Sequence, residues 1–250
     1  MWTVVDGTRM HARVSEGPGD GPAVVLVHGL VVSGRYMIPT LKRLAVHHRV
    51  YAPDLPGFGK SGKPARAQVV PGLSDALAGW MRNLGLERAA LVGNSMGCQI
   101  IAELAWRHPD LVERIVLQGP TMDPRARSAL RQIGRLLLDA PLEPPSLMPI
   151  ELRDYVSAGT RRAWRTFRHA LADRIEEKLP RVRVPALVVR GSRDPVCPQR
   201  WAEEAAGLLP EGRLVVLPGA AHAVNYSASE EFVRTIGPFL YENRVRETSA

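Results

Sequence analysis

Six short runs rich in valine and leucine constrain this chain more than any other feature. Ala23–Val27, Arg49–Ala52, Ala89–Val92, Ile115–Leu117, Ala186–Val189 and Leu214–Leu217 show little alternation between apolar and polar positions. Successive side chains of a strand point to opposite faces, so a run of this kind has to be covered on both sides. Between the runs, residues 35–46, 74–84, 96–107, 198–209 and 229–241 read as helices. Strand and helix in alternation predict the α/β class: a mostly parallel sheet with helices on both faces. Ahead of it, Trp2–Val5 and Arg9–Val14 flank the turn pair Asp6-Gly7, which predicts an antiparallel hairpin at the start of the sheet.

The rhythm stops between Pro120 and Pro185, where no convincing strand occurs. Two amphipathic patterns take its place. One sets Ala126, Leu130, Ile133 and Leu137 on a common face, and the other sets Trp164, Phe167, Leu171 and Ile175 together. A proline-rich stretch, 141–146, separates them. The chain has 250 residues, 45% of them hydrophobic, which suits one α/β domain with an insertion. Residues 1–120 and 185–250 form the expected core, and residues 121–184 an expected helical lid.

The formal net charge is +8, carried by 29 Arg and 4 Lys. No basic patch interleaved with aromatics and no nucleic-acid-binding motif accompanies it, so nucleic acid is not expected as a partner. Residues 124–184 alone hold 12 Arg and 1 Lys against 7 acids, a net +6. Arg127, Arg131 and Arg135 recur every four residues there. They form either a solvated face or one turned to the cleft to favour an anionic substrate. Cys98 and Cys197 are too few and too far apart for a disulfide framework or a zinc site. The N-terminus has no basic start followed by an apolar run, and no stretch approaches the roughly 18 apolar residues of a membrane span. The expectation is a cytoplasmic chain whose partner is a small molecule, with no membrane partner, no metal and no organic cofactor.

Chemistry concentrates at three strand ends. In Leu91-Val92-Gly93-Asn94-Ser95-Met96-Gly97 a buried strand passes into a helix through Gly-x-Ser-x-Gly. So tight a turn needs small neighbours and lifts the serine hydroxyl above the sheet as a candidate nucleophile. A serine needs a base. Of seven histidines, only His222 combines a strand end, a small-residue loop and a C-terminal position. His11, His47, His48, His108 and His169 read as surface residues. The base needs a carboxylate to hold its tautomer. Asp194, after the run ending at Val189, is favoured, and Asp123 in Gly119-Pro120-Thr121-Met122-Asp123 competes. The oxyanion of an acyl-transfer intermediate needs two donors. The backbone N–H groups of Met96 and of Leu30, after His28-Gly29, are the candidates, and His28 itself reads as structural.

His28-Gly29, Asp54-Leu55-Pro56-Gly57-Phe58-Gly59-Lys60-Ser61, Gly93-Asn94-Ser95-Met96-Gly97, Gly191-Ser192-Arg193-Asp194 and His222 occur in an order that resembles the α/β-hydrolase family, in its lid-bearing branch. The resemblance spans nearly the whole chain. It implies an α/β-hydrolase fold, a Ser95–His222–Asp194 triad and a structural turn at 54–61. Asn-Ser-Met is similar to the core of carboxylesterases and of carbon–carbon bond hydrolases acting on ring-cleavage products. Cys98, where the latter usually carry glycine, and Ala223-Val224-Asn225-Tyr226 without their tryptophan favour the esterase. Carbon–carbon cleavage of a diketone-like acid is the alternative, and a slow-turnover ligand receptor on the same fold is a third.

Overall fold

Both faces of the central strands are buried, as their sequence requires. The computed structural model describes residues 1–15 and 22–241; residues 16–21 and 242–250, the last within the expected core segment, lie outside the described residues. The strands are β1 (Trp2–Val5), β2 (Thr8–Val14), β3 (Val24–Val27), β4 (Val50–Pro53), β5 (Ala89–Asn94), β6 (Val112–Gln118), β7 (Ala186–Gly191) and β8 (Gly212–Leu217). They form one sheet in the order β1-β2-β4-β3-β5-β6-β7-β8. β1 and β2 pair as the expected hairpin, β2 joins β4 antiparallel, and the rest is parallel.

The core helices are α1 (Ile38–Leu44), α2 (Val70–Asn83), α3 (Met96–Arg107), α8 (Gln199–Leu208), α9 (Val224–Ser227) and α10 (Ser229–Tyr241). Val25 and Val27 of β3 pack in one cluster with Leu77 of α2, Ile101 of α3 and Trp201 of α8. Val24 and Leu26 pack in the other with Leu41 of α1 and Phe232 and Ile236 of α10. Adjacent residues therefore serve opposite layers, each buried Val or Leu contributing about 1.5–3 kcal/mol. α2 begins at Val70, ahead of the expected 74. Pro71 stands in its first turn, where the missing N–H would have no helical partner anyway. Chain order runs from β3 outward to β4 and then returns to β5 on the other side of β3. The crevice above the carboxyl ends of β3 and β5 is thus a topological switch point, where ligands gather in open α/β sheets.

Four helices lie between β6 and β7: α4 (Ala129–Asp139), α5 (Met148–Ala158), α6 (Thr160–Ala172) and α7 (Ile175–Lys178). α5 matches neither amphipathic pattern read from the sequence. Polar contacts tie this insertion down. The Lys178 ammonium, itself buried, pairs with Glu103 of α3 at 2.7 Å and with Asp173. Arg135 and Arg200 converge on buried Asp123 at 2.9 and 2.6 Å. These ties set the orientation of α4, which the common face read from the sequence leaves open. Gln132 and Asp139 point inward, and Leu130 and Leu137 are 83% and 70% exposed. The second pattern is split as well. Phe167 on α6 and Ile175 on α7 are buried, whereas Trp164 is 49% exposed. His48 is buried too, contrary to its surface reading.

Candidate active site

Ser95 sits between β5 and α3 with φ 54° and ψ −119°, a region a non-glycine residue occupies only when its surroundings force it. The forcing groups are visible. A Cβ on Gly97 would lie 2.3 Å from the Val27 carbonyl oxygen, and one on Gly93 would lie 2.7 Å from the Gly97 carbonyl carbon. α3 therefore crosses β3 and β5 at backbone contact, and only glycine fits on either side of the serine. The Ser95 N–H donates to the Gln118 carbonyl at 2.9 Å, which fixes the turn against β6.

The segment after β7 bends back around Asp194. Its Oδ1 accepts the N–H groups of Val196 and Cys197 at 2.8 and 2.9 Å. Arg190, buried, holds the same loop by donating to the Asp194 and Cys197 carbonyls at 3.0 and 2.9 Å. The free carboxylate oxygen, Oδ2, meets His222 Nδ1 at 2.8 Å. Both residues are buried, and His222 Nε2 has no partner among the described residues. Burial opposes protonation of the imidazole, but the charge and hydrogen bond of Asp194 outweigh it, helped by Asp139 and Glu143, and raise its pKa to about 9. Gly119, with φ +56°, backs the ring so closely that a Cβ there would lie 2.9 Å from it.

Ser95, His222, Leu30 and Met96 line one cavity of about 120 Å³ over the switch point. Met96 opens α3, where first-turn N–H groups have no partner within the helix. A Cβ on Gly29 would lie 3.2 Å from the Ser95 Cβ, so the loop carrying Leu30 runs directly beside the serine. Five of the residues predicted for the site thus come together. Asp123 does not join them. Its carboxylate is taken by Arg135, Arg200 and the Arg125 N–H, and Asp194 occupies the place beside His222. His28 is buried, accepts the Leu55 N–H at Nε2 and lies 2.9 Å from the Gly29 carbonyl through Nδ1, a structural pin. Asp54 likewise organises its turn, accepting the Gly34 and Lys60 N–H groups and Arg13. Cys98 and Cys197 are buried thiols whose pKa burial pushes up.

Three residues escaped the sequence reading. Gln118, ending β6, receives the Asn94 amide at 2.6 Å and donates to the His222 carbonyl at 2.8 Å, linking the serine turn to the histidine loop. A polar residue closing an apolar run was its signal. Asp139 and Glu143 of the insertion accept the N–H groups of His222 and Ala223 at 3.1 and 2.5 Å. Nothing in the sequence points from α4 to a loop some eighty residues away. Asp139 is buried near Glu143 and Asp194. Burial first, then those like charges, raise its pKa to about 6. Asp139 and Glu151 line the cavity, and among the described residues no arginine or lysine does. Arg127 pairs with Glu176, Arg131 donates to the Arg125 carbonyl and Arg135 holds Asp123.

A parallel-centred sheet with a strained serine turn, an imidazole held by a buried carboxylate and a helical insertion above them defines the α/β-hydrolase class. The chain belongs to the alpha/beta hydrolase family, whose model matches residues 24–235. RutD of a Caulobacter species, provisionally named a carbamate hydrolase, is 28% identical over 94% of this chain and 96% of its own. The enol-lactonase of Burkholderia xenovorans superposes with a TM-score of 0.80 at 26% identity, over 96% of this chain and 99% of its own. A thermophilic esterase of Thermogutta terrifontis shares the fold at 22% identity, with a TM-score of 0.82 over 97% and 98% of the two chains. Among the described residues, no helix is long and apolar enough to cross a membrane, and no group of acidic, histidine or cysteine side chains is arranged to hold a metal ion.

Proposed function

We propose that the protein is a serine hydrolase that cleaves small carboxylic esters through an acyl-enzyme on Ser95. One observation carries the reading: His222 is locked by Asp194 through Nδ1, and its unpartnered Nε2 belongs to a residue lining the same cavity as the strained serine. In this reading Nε2 takes the Ser95 proton as Oγ attacks the ester carbonyl. The N–H groups of Leu30 and Met96 hold the resulting oxyanion, each such donor worth about 2.7–4 kcal/mol. His222 then gives its proton to the departing alcohol. Water then attacks the acyl carbonyl and passes a proton to Nε2, and that proton returns to Ser95 Oγ as the acid leaves. Asp194 keeps the imidazole in the useful tautomer. Residues 121–184 act as the lid over this cavity.

The substrate is small and uncharged or cationic. The cavity falls below the ~300–1,000 Å³ common for ligand sites. Its ionisable lining beside His222 is acidic, so a carboxylate-bearing substrate is disfavoured by like charge. The arginines of the lid do not change this, since none lines the cavity. The same acidity weighs against the diketone-like acid of the carbon–carbon reading. The names of the enol-lactonase and of RutD both describe acyl compounds, which supports acyl transfer.

The test is a screen of purified protein against esters of graded acyl length, a carboxylate-bearing analogue of the best one, and a ring-cleavage product. Short neutral esters should turn over, and Ser95→Ala should lose both turnover and labelling by a serine-directed phosphonate. Labelling that survives in Ser95→Ala, or preferred turnover of the ring-cleavage product, overturns the proposal. Ligand binding without turnover identifies a receptor.

A further inference from the structure

The insertion turns its most hydrophobic side away from the protein. On α4, Leu130, Leu137 and Leu138 project outward, and on α5, Met148, Leu152 and Val156 do the same; all six are 61–83% exposed. The spacing is helical in both elements, so each presents an apolar stripe opposite its buried polar residues, Gln132 and Asp139 on α4 and Asp154 on α5. Large contiguous apolar exposure marks an interaction surface on a folded protein.

Charge identifies the occupant. Arg153 on α5 and Arg161, Arg165 and Arg168 on α6 are all exposed, and none has an ion pair or hydrogen bond among the described residues. On a helical wheel Arg161, Arg165 and Arg168 lie together to one side of Trp164, itself half exposed. Of the seven acids in residues 124–184, Asp139 and Asp154 are buried, Asp173, Glu176 and Glu177 are paired, Glu143 accepts the Ala223 N–H, and Glu151 alone is an exposed acid on α5. On α5 helical spacing sets Arg153 beside the apolar stripe, and α6, which packs on α5, carries the other three arginines. Exposed apolar stripes together with free arginines match the chemistry of a helix lying in a lipid headgroup layer.

We propose that the outer face of this insertion docks on an anionic membrane surface, with the leucine, methionine and valine side chains entering the acyl boundary and the arginines meeting lipid phosphates. A second copy of the chain is disfavoured as the occupant. A two-fold interface would bring together two faces carrying the same excess of arginine and supply no anionic partner for it, whereas a lipid phosphate layer supplies the opposite charge. Docking of this kind needs no spanning helix, and it is independent of the reaction proposed for Ser95.

The experiment is co-sedimentation of the full chain with vesicles of phosphatidylcholine alone, or of equal parts phosphatidylcholine and phosphatidylglycerol, at low and high salt. The protein should pellet with the anionic vesicles, less so at high salt, and stay in solution with the zwitterionic ones. Replacing Arg165 and Arg168 together by alanine should lower partitioning about 25-fold, at roughly fivefold per basic residue. Leu137→Asp with Val156→Asp should lower it further. Both pairs are solvent-exposed, and an unchanged thermal midpoint shows that folding survives. If a pair unfolds, the lipid and salt arms on the unaltered protein still decide. Failure to bind anionic vesicles, equal binding to both compositions, or binding unaffected by both pairs of substitutions overturns the proposal. So does a dimer in light scattering that the Leu137 and Val156 substitutions dissociate, which would make a second copy the occupant.

Discussion

Replacing Asp194 by asparagine tests the catalytic assignment with the structure dictating the outcome. The two carboxylate oxygens are not equivalent. Oδ1 accepts two backbone N–H groups, from Val196 and Cys197, and Oδ2 faces a single ring nitrogen of His222. An asparagine must give its carbonyl to the two fixed donors, because its amide there would set donor against donor. Its NH₂ then faces His222 Nδ1, which has to become the acceptor, and the ring proton moves to Nε2. A histidine protonated at Nε2 cannot take the Ser95 proton. The expected loss is about 10⁴-fold in kcat, or about 5 kcal/mol on the barrier. Stability falls far less. Two hydrogen bonds pass from a charged acceptor to a neutral one, costing about 2 kcal/mol together. Steady-state kinetics on the best ester, thermal unfolding and ¹⁵N spectra of the histidine ring check the three parts. A variant that keeps kcat within tenfold, or whose His222 retains its proton on Nδ1, removes Asp194 from this role.

Three further outcomes follow from the same geometry. Asp123→Asn should leave kcat within a few fold but lower stability by about 1–3 kcal/mol, because its buried carboxylate joins Arg135 to Arg200; a kcat loss as large as that of Asp194→Asn would move the acid to β6. pH should move activity and stability in opposite directions. His222 rises from 6.5 to about 9 in the fold, so its pairing with Asp194 stabilises fully below pH 6.5 and is lost as pH climbs through 9, while the neutral base appears over the same interval. The alkaline-going limb of kcat/KM should therefore lie above 6.5, and a limb at or below 6.5 with chemistry rate-limiting contradicts this. Gly97→Ala should fail to fold or lose Ser95 labelling, since its Cβ would meet the Val27 carbonyl at 2.3 Å; circular dichroism and phosphonate labelling read this, and a folded, fully labelled variant contradicts it.

The sheet and most of the candidate site were legible along the chain before any packing was known. Unalternating runs such as Val24–Val27 can only be strands covered twice, and residues at the ends of parallel strands share one edge. Ser95, Asp194 and His222 were therefore neighbours in prospect even though up to 127 residues separate them. Local chemistry sufficed here because strand burial and the glycine-flanked turn are written within a few residues of each position. The insertion was different. Its helical periodicity was legible in α4, but not the direction of its apolar face, because that depends on what the other side can bind. Asp139 reaching the His222 N–H, Arg135 reaching Asp123 and Lys178 reaching Glu103 hold the polar sides inward, and they leave Leu130 and Leu137 facing out. The choice of Asp194 over Asp123 was likewise decided in three dimensions. Both carboxylates follow strands, and only packing put arginines around one and an imidazole beside the other.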